Sequence, residues 1–279
     1  MTAAAGRKAV LAVAPNGGRK TKADHPALPM TAEELARTAA ECLERGASMI
    51  HLHVRDRDGR HVLDPSAYRT AIAKICDAVG DRLVIQITSE SLGRYTPKEQ
   101  QAVVLQTNPE AVSLALRELA PSEADETGFA AFLVRLKQMR VWPQFLLYSP
   151  DDATRLAGMQ KKGLIPFERA GVLYVLGRYS LLRTAAPADL LPFMAPDMPR
   201  FGSWAACAFG RREAACVTAA VLLGGHARVG FENNLALPNG EPAASNAELA
   251  GVVAHGLETL GISIQAARGL REEIDKLMR

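Results

Sequence analysis

The sequence predicts an α/β fold, a single (β/α)8 TIM barrel occupying residues 1–279 as one domain, on three observations. Short apolar runs alternate with stretches of helical spacing eight times along the chain. The length suits a barrel of this kind, typically about 250 residues. The runner-up, a doubly wound sheet, would want G-x-G-x-x-G after its first strand, where this chain has Pro15-Asn16-Gly17-Gly18-Arg19.

Residues 9–14 are continuously apolar and end at Pro15-Asn16-Gly17-Gly18, which reads as a strand buried on both faces and then a turn. Thr31-Ala32-Glu33-Glu34 reads as a capping box, followed by Leu35, Ala39 and Leu43 at helical spacing and Gly46 as a stop. Residues 49–54 form the next strand. Strand, capped helix and strand make a right-handed βαβ unit with a parallel sheet. Residues 83–88 are a third strand, and Thr96-Pro97-Lys98-Glu99 caps a second helix with proline at the first helical position, where its missing N–H costs nothing. Strands are read at 111–116 and 145–148, with a helix at 129–139 between them. Ser149-Pro150-Asp151-Asp152 opens a helix that stops at Gly163. A strand at 173–176, a short helix at 188–194, strands at 204–209 and 227–229, and a helix at 211–223 complete the alternation. Ser245-Asn246-Ala247-Glu248 caps a helix to about Leu260, and residues 265–278 close the chain.

Composition narrows the function classes. A chain that is 48% hydrophobic buries a large core at this length. No apolar run approaches the roughly 20 residues needed to span a bilayer. After Met1-Thr2-Ala3-Ala4-Ala5-Gly6-Arg7-Lys8 only about six apolar residues precede Pro15, short of the roughly 7 to 15 of a signal-peptide core. A cytoplasmic protein without membrane partners is therefore expected. Cys42, Cys76, Cys207 and Cys216 form no Cys-x-x-Cys and read as ordinary buried thiols in a reducing compartment. The net charge of +3 is small and the basic residues are interspersed with acids, so nucleic acid is not an expected partner.

The chemistry gathers at Met49-Ile50-His51-Leu52-His53-Val54-Arg55-Asp56. In a strand, side chains alternate, so His51 and His53 share one face while Ile50, Leu52 and Val54 take the other. Two imidazoles near the end of a strand suit a metal, and a catalytic zinc takes three protein ligands while keeping a fourth position open. Glu232, in Arg228-Val229-Gly230-Phe231-Glu232-Asn233-Asn234, is the candidate third ligand. The alternative is that both histidines are interior and bonded to backbone. A barrel sets its first, second and eighth strands side by side, which brings Asn16, His51, His53 and Glu232 to the C-terminal mouth where barrel active sites lie. His25 and His226 read as structural, Trp142 and Trp204 as core or interface. Arg55 and Asp56 either orient a ligand or pair with each other.

Four segments, HLHVRD at 51–56, LLGGHARVGFENNL at 222–235, HPALPMTAEEL at 25–35 and SNAEL at 245–249, resemble the β-keto acid cleavage enzymes, typified by 3-keto-5-aminohexanoate cleavage enzyme. The resemblance implies a zinc-dependent barrel, usually a homotetramer, that condenses a β-keto acid with acetyl-CoA and releases acetoacetate and a new acyl-CoA. It makes His51, His53 and Glu232 the zinc ligands and Arg228 the catalytic arginine, and it matches Thr88 to a catalytic serine. A divalent ion there is a Lewis acid for the enolate formed on loss of the C2 proton.

Three departures from the family pattern follow. Asn233 stands where the family commonly has an aspartate that acts in proton transfer, and an amide is no general base. Glu90, after the third strand, is the candidate replacement. Arg19 and Leu146 stand where the type enzyme has glutamates near a cationic amino group, which points to an anionic or apolar β-keto acid rather than an amino-bearing one. Ala115 replaces a threonine and removes a polar contact. The rival readings are a zinc hydrolase of the amidohydrolase type, which would want further histidines and an aspartate on later strands, and a non-catalytic barrel that binds metal and ligand.

Overall fold

The computed structural model describes residues 8–181 and 184–279; the first seven residues, part of the segment read as too short for a signal peptide, lie outside the described residues. The chain runs β1 (Leu11–Val13), α1 (Ala32–Leu43), β2 (Met49–Leu52), a hairpin of β3 (Val54–Arg55) and β4 (His61–Val62), α2 (Pro65–Val79), β5 (Val84–Thr88) and α3 (Pro97–Thr107). It continues through β6 (Ala111–Ala115), the single turn α4 (Leu116–Leu119), α5 (Glu123–Met139), β7 (Trp142–Leu147), α6 (Pro150–Lys161) and β8 (Gly171–Leu176). A 3-10 turn (Pro187–Leu190) leads into α7 (Leu191–Met194), and then come β9 (Ser203–Ala208), α8 (Glu213–Leu222), β10 (His226–Val229), α9 (Asn246–Thr259) and α10 (Ala267–Leu277).

Eight of these strands close into a parallel barrel in the order β1-β10-β9-β8-β7-β6-β5-β2. This is the (β/α)8 barrel that the alternation predicts. β1 pairs with both β2 (Val13 opposite Ile50) and β10 (Val13 opposite Val229), so the segments that carry His51, His53 and Glu232 flank the first strand.

Alternation along each strand sorts two environments. Outward positions such as Leu11, Val13, Ile50, Leu52, Ile85 and Val229 pack with the helices in one large core. Inward positions at the N-terminal end, Val10, Ala12, Met49, Val84, Ala111 and Trp142, form an apolar plug with Leu270, Ile274 and Leu277 of α10. Above the plug the interior turns polar, with His51, Gln86, Ser113, Gln144 and Arg228 all buried. Among the described residues no helix is long and apolar enough to cross a membrane. Cys42, Cys207 and Cys216 are buried free thiols, whereas Cys76 is exposed on α2, contrary to the expectation for all four.

Candidate active site

His51 is on β2 and His53 one residue beyond its end, and both rings enter the barrel mouth because they share a strand face. His51 Nδ1 faces Gln86 Oε1 at 2.9 Å. An amide oxygen only accepts, so the His51 proton sits on Nδ1 and Nε2 keeps a bare lone pair. Gln86 in turn donates from Nε2 to Gln144 Oε1 at 3.2 Å, which holds its amide in that orientation. Burial pushes His51 down to about 3, so the ring is neutral at physiological pH, the form a metal ligand needs.

Three ligand atoms converge. His51 Nε2 and His53 Nε2 are 3.3 Å apart, and Glu232 Oε2 lies 3.6 Å from each. Tetrahedral zinc with bonds of about 2.0–2.1 Å requires ligand separations of about 3.3–3.4 Å. The observed triangle fits such an ion. Glu232 Oε2 is buried and has no hydrogen-bond partner among the described residues, although its other oxygen, Oε1, accepts from Arg228 Nη2 at 3.3 Å. Burial by itself would raise the Glu232 carboxyl, but Arg228 and the two histidines outweigh it and hold the group well below the ordinary carboxylate range. The arrangement is an anionic, convergent, open-sided set of lone pairs whose spacing could hold a metal ion.

The loop after β1 packs directly on this set. Gly17 has φ +59°, and a Cβ there would lie 2.7 Å from Glu232 Cγ; a Cβ on Gly18 would lie 3.3 Å from His53 Nδ1. The positive φ and the 2.7 Å approach select glycine at position 17, and a Cβ at position 18 would crowd the His53 ring. Arg55 clamps the same loop by donating to the carbonyl oxygens of Gly17, Gly18 and Lys20, and to that of Gly59 in its own hairpin. Asn16 directs its side chain to backbone: Nδ2 donates to His53 O at 2.9 Å and Pro29 O at 3.0 Å, while Oδ1 accepts from His53 N at 3.2 Å. It fixes the ligand strand rather than offering its amide to the cavity.

A cavity of about 270 Å³ opens beside the triad. Of the residues singled out in the sequence, Asn16, Arg19, His51, His53, Thr88, Glu90, Leu146, Arg228, Glu232 and Asn233 all line it; Ala115 is buried but is not among the lining residues. Arg19 is exposed at the rim. Thr88 Oγ1 accepts the Glu90 N–H at 3.0 Å, which leaves the hydroxyl proton to donate. Glu90 bridges two groups, with Oε1 3.2 Å from Arg178 Nη2 and Oε2 4.0 Å from His53 Nδ1. Arg228 reaches Glu232 Oε1, Asn233 Oδ1 (3.2 Å) and Cys207 Sγ (3.4 Å).

Sequence reasoning passed over Gln86, Ser113, Lys20 and Arg178. Gln86 and Ser113 were open to discovery by the period of two, since Gln86 shares a face with Thr88 and Ser113 shares one with Ala115. Ser113 Oγ is buried, lines the cavity and has no partner among the described residues. Lys20 follows Arg19 in the loop after β1, where its Nζ donates to Glu232 O at 2.7 Å and burial lowers its pKa. Arg178, after β8, carried no motif at all. His226 sits at the opposite end of its strand, accepting from Val10 N at 3.1 Å and facing Glu273 Oε1 at 3.2 Å, and so does not join His51, His53 and Glu232.

The chain matches the beta-keto acid cleavage enzyme family over residues 8–275. It is 31% identical over 255 residues to the 3-keto-5-aminohexanoate cleavage enzyme of Acetoanaerobium sticklandii, covering 87% of this chain and 89% of that protein. It is 26% identical over 264 residues to the 3-oxoadipate:acetyl-CoA acetyltransferase of Cupriavidus necator, covering 90% and 89%. In fold it is similar to ObcA in a binary complex with oxaloacetate, with a TM-score of 0.66 at 17% identity over 90% of this chain and 67% of that one. The chain belongs to the beta-keto acid cleavage enzyme family, a family of enzymes whose relatives here include acetyl-CoA-dependent transferases.

Proposed function

We propose that this protein is a zinc-dependent acyltransferase that cleaves a β-keto acid with acetyl-CoA, giving acetoacetate and a new acyl-CoA. The observation that carries the reading is the His51–His53–Glu232 triangle of 3.3–3.6 Å sides beside a buried guanidinium in the cavity of a chain belonging to this family. His51, His53 and Glu232 would hold a divalent ion, which would supply Lewis-acid stabilisation of the enolate oxygen. Glu90 is the lining carboxylate that is not a metal ligand, and it takes the C2 proton. Arg228 holds Glu232 in position and places positive charge where the substrate turns anionic. Thr88 donates its hydroxyl proton to a substrate oxygen. The enolate carbon then forms a bond to the thioester carbonyl of acetyl-CoA as the C–S bond breaks and CoA thiolate leaves. The thiolate attacks the substrate's C3 carbonyl, the old C2–C3 bond breaks to give the new acyl-CoA, and the departing acetoacetate carbanion takes a proton back from Glu90.

The lining charges support an anionic β-keto acid. Arg19, Lys20, Arg178 and Arg228 face Glu90 and Glu232. Glu232 neutralises Arg228 and Glu90 neutralises Arg178, so Lys20 and Arg19 remain for a substrate carboxylate. Leu146, Tyr148 and Val175 provide the apolar wall that a short uncharged tail would use. An amino-bearing tail finds no unpaired carboxylate among the lining residues. The proposed assembly is a homotetramer in the cytoplasm, and light scattering on the purified protein reads the subunit number.

The test is to mix zinc-loaded protein with acetyl-CoA and cationic, anionic and apolar β-keto acids, and to follow acyl-CoA products by mass spectrometry. The expected result is a new acyl-CoA with matching acetoacetate, fastest for an anionic tail. A preference for the amino-bearing acid would contradict the assignment of substrate charge. Metal and β-keto acid bound without any exchange would favour the non-catalytic barrel.

A further inference from the structure

Asn233 is at the one position where an aspartate would be expected to move a proton, and its surroundings define a different task. The side chain is fixed. Arg228 Nη2 donates to Asn233 Oδ1 at 3.2 Å, and since a guanidinium is only a donor, the amide must place its oxygen there and turn its NH2 away. The backbone is held as firmly, with Asn233 N donating to Gly230 O at 2.9 Å and Asn233 O accepting from Gly210 N at 3.2 Å. Asn233 is 3% exposed and lines the cavity that holds the metal triad. Its Nδ2 is buried with no hydrogen-bond partner among the described residues. A buried donor left without an acceptor costs about 1–3 kcal/mol, and such a group in a ligand cavity is a place for a ligand acceptor.

We propose that Asn233 is a catalytic residue acting as a hydrogen-bond donor: its Nδ2 binds the β-keto acid oxygen that gains negative charge as C2 loses its proton. An amide takes no proton, but a fixed amide N–H aimed at a developing oxyanion stabilises it without reorganising. The residue that looks like a defect in a proton-transfer pair is then a change of role. Arg228 orients the amide, Asn233 meets the charge, and the proton goes to another group. A carboxylate at this position would present only acceptors to the same oxygen and repel it.

This inference rests on the β-keto acid reading above, and its test separates the two. The side-chain ¹⁵NH2 pair of Asn233, assigned by its disappearance in Asn233→Asp, is followed while acetoacetate is titrated into zinc-loaded protein. A downfield shift of one Nδ2 proton on binding is expected; an unmoved pair with acetoacetate bound overturns the donor role whether or not the enzyme turns over. In the exchange assay, Asn233→Asp and Asn233→Ala are each expected to lose about 10²–10³-fold in kcat, the scale of one oxyanion donor, with metal content kept and KM little changed. Asn233→Asp keeps the side-chain shape and a partner for Arg228, so it reports even where the alanine variant fails to fold. If Asn233→Asp equals or exceeds the native rate, the position is a vacated base and the proposal is wrong. If the native protein exchanges none of the acids while the amide still shifts, the acyltransfer reading fails and the donor stands.

Discussion

At the scale of single residues, the site depends on which atoms are denied protons. Gln86 does this for His51, forcing its proton onto Nδ1. Gln86→Leu keeps the volume of the side chain but removes that acceptor, and metal affinity is expected to fall about 10–100-fold; competition against a chelating dye measures it, and an unchanged affinity would mean the tautomer is set elsewhere. The same strand geometry explains what could be read beforehand. His51 and His53 announce themselves because two imidazoles on one strand face have few uses, and Glu232 follows from the adjacency of first, second and eighth strands. Gln86 obeys the same alternation but carries no chemistry of its own to draw notice. Lys20 and Arg178 come from loops, whose paths no periodicity describes, and Asn16, visible as a mouth residue, serves the His53 backbone instead.

At the scale of elements, two devices set the mouth and the base of the barrel. Arg55 gathers carbonyls of the loop after β1 and pins it over His53 and Glu232. With several such bonds at about 0.5–1.5 kcal/mol each, Arg55→Ala is expected to cost about 2–3 kcal/mol in denaturant unfolding and to raise KM more than it lowers kcat. A loss confined to stability, with KM unchanged, would show that the loop does not shape the cavity. At the base, Glu273 of α10 accepts from Ser203 Oγ at 2.6 Å, and from His226 Nε2 and Gln265 Nε2 at 3.2 Å each. Burial would raise its carboxyl, but His226 and these hydrogen bonds overcome that and bring it down to about 2 from an ordinary 4.5. A depressed carboxyl contributes stability that is present above about pH 4.5 and lost as pH falls towards 2. Glu273→Gln is therefore expected to cost about 1–2 kcal/mol at neutral pH and to flatten the acid limb of the Tm profile across that window; an acid limb of unaltered slope would remove Glu273 from it.

Element boundaries show where local signals stop. The capping boxes at Thr31 and Thr96 are present as read, because cap chemistry involves residues only three apart. The helix α2, passed over in the sequence, has equally plain signals: Asp64 Oδ1 accepts from Ala67 N at 2.7 Å, Pro65 follows, and Tyr68, Ala71, Ile75 and Val79 form its buried face. Strand β7 begins at Trp142 rather than Phe145, since Pro143 argues locally against a strand and only closure of the barrel overrides it. Helix α5 starts at Glu123 instead of residue 129, its first turn being acidic and polar and lacking an apolar period to mark it.

At the scale of the whole molecule, the barrel was legible because connection rules leave few options for eight alternating units, and that single inference placed residues 51, 53 and 232 at one mouth. What the topology does not convey is the identity of the substrate, which depends on loop side chains at the rim. The central claim, acyl exchange at the His51–His53–Glu232 triad, is tested most directly by stripping the protein of metal with a chelator and measuring acyl-CoA formation from acetyl-CoA and a β-keto acid before and after zinc is restored, with His51→Ala in parallel. Exchange is expected to disappear on stripping, to return with zinc in the native protein and not to return in His51→Ala. Undiminished exchange by the stripped protein, or full recovery in His51→Ala, would contradict the claim.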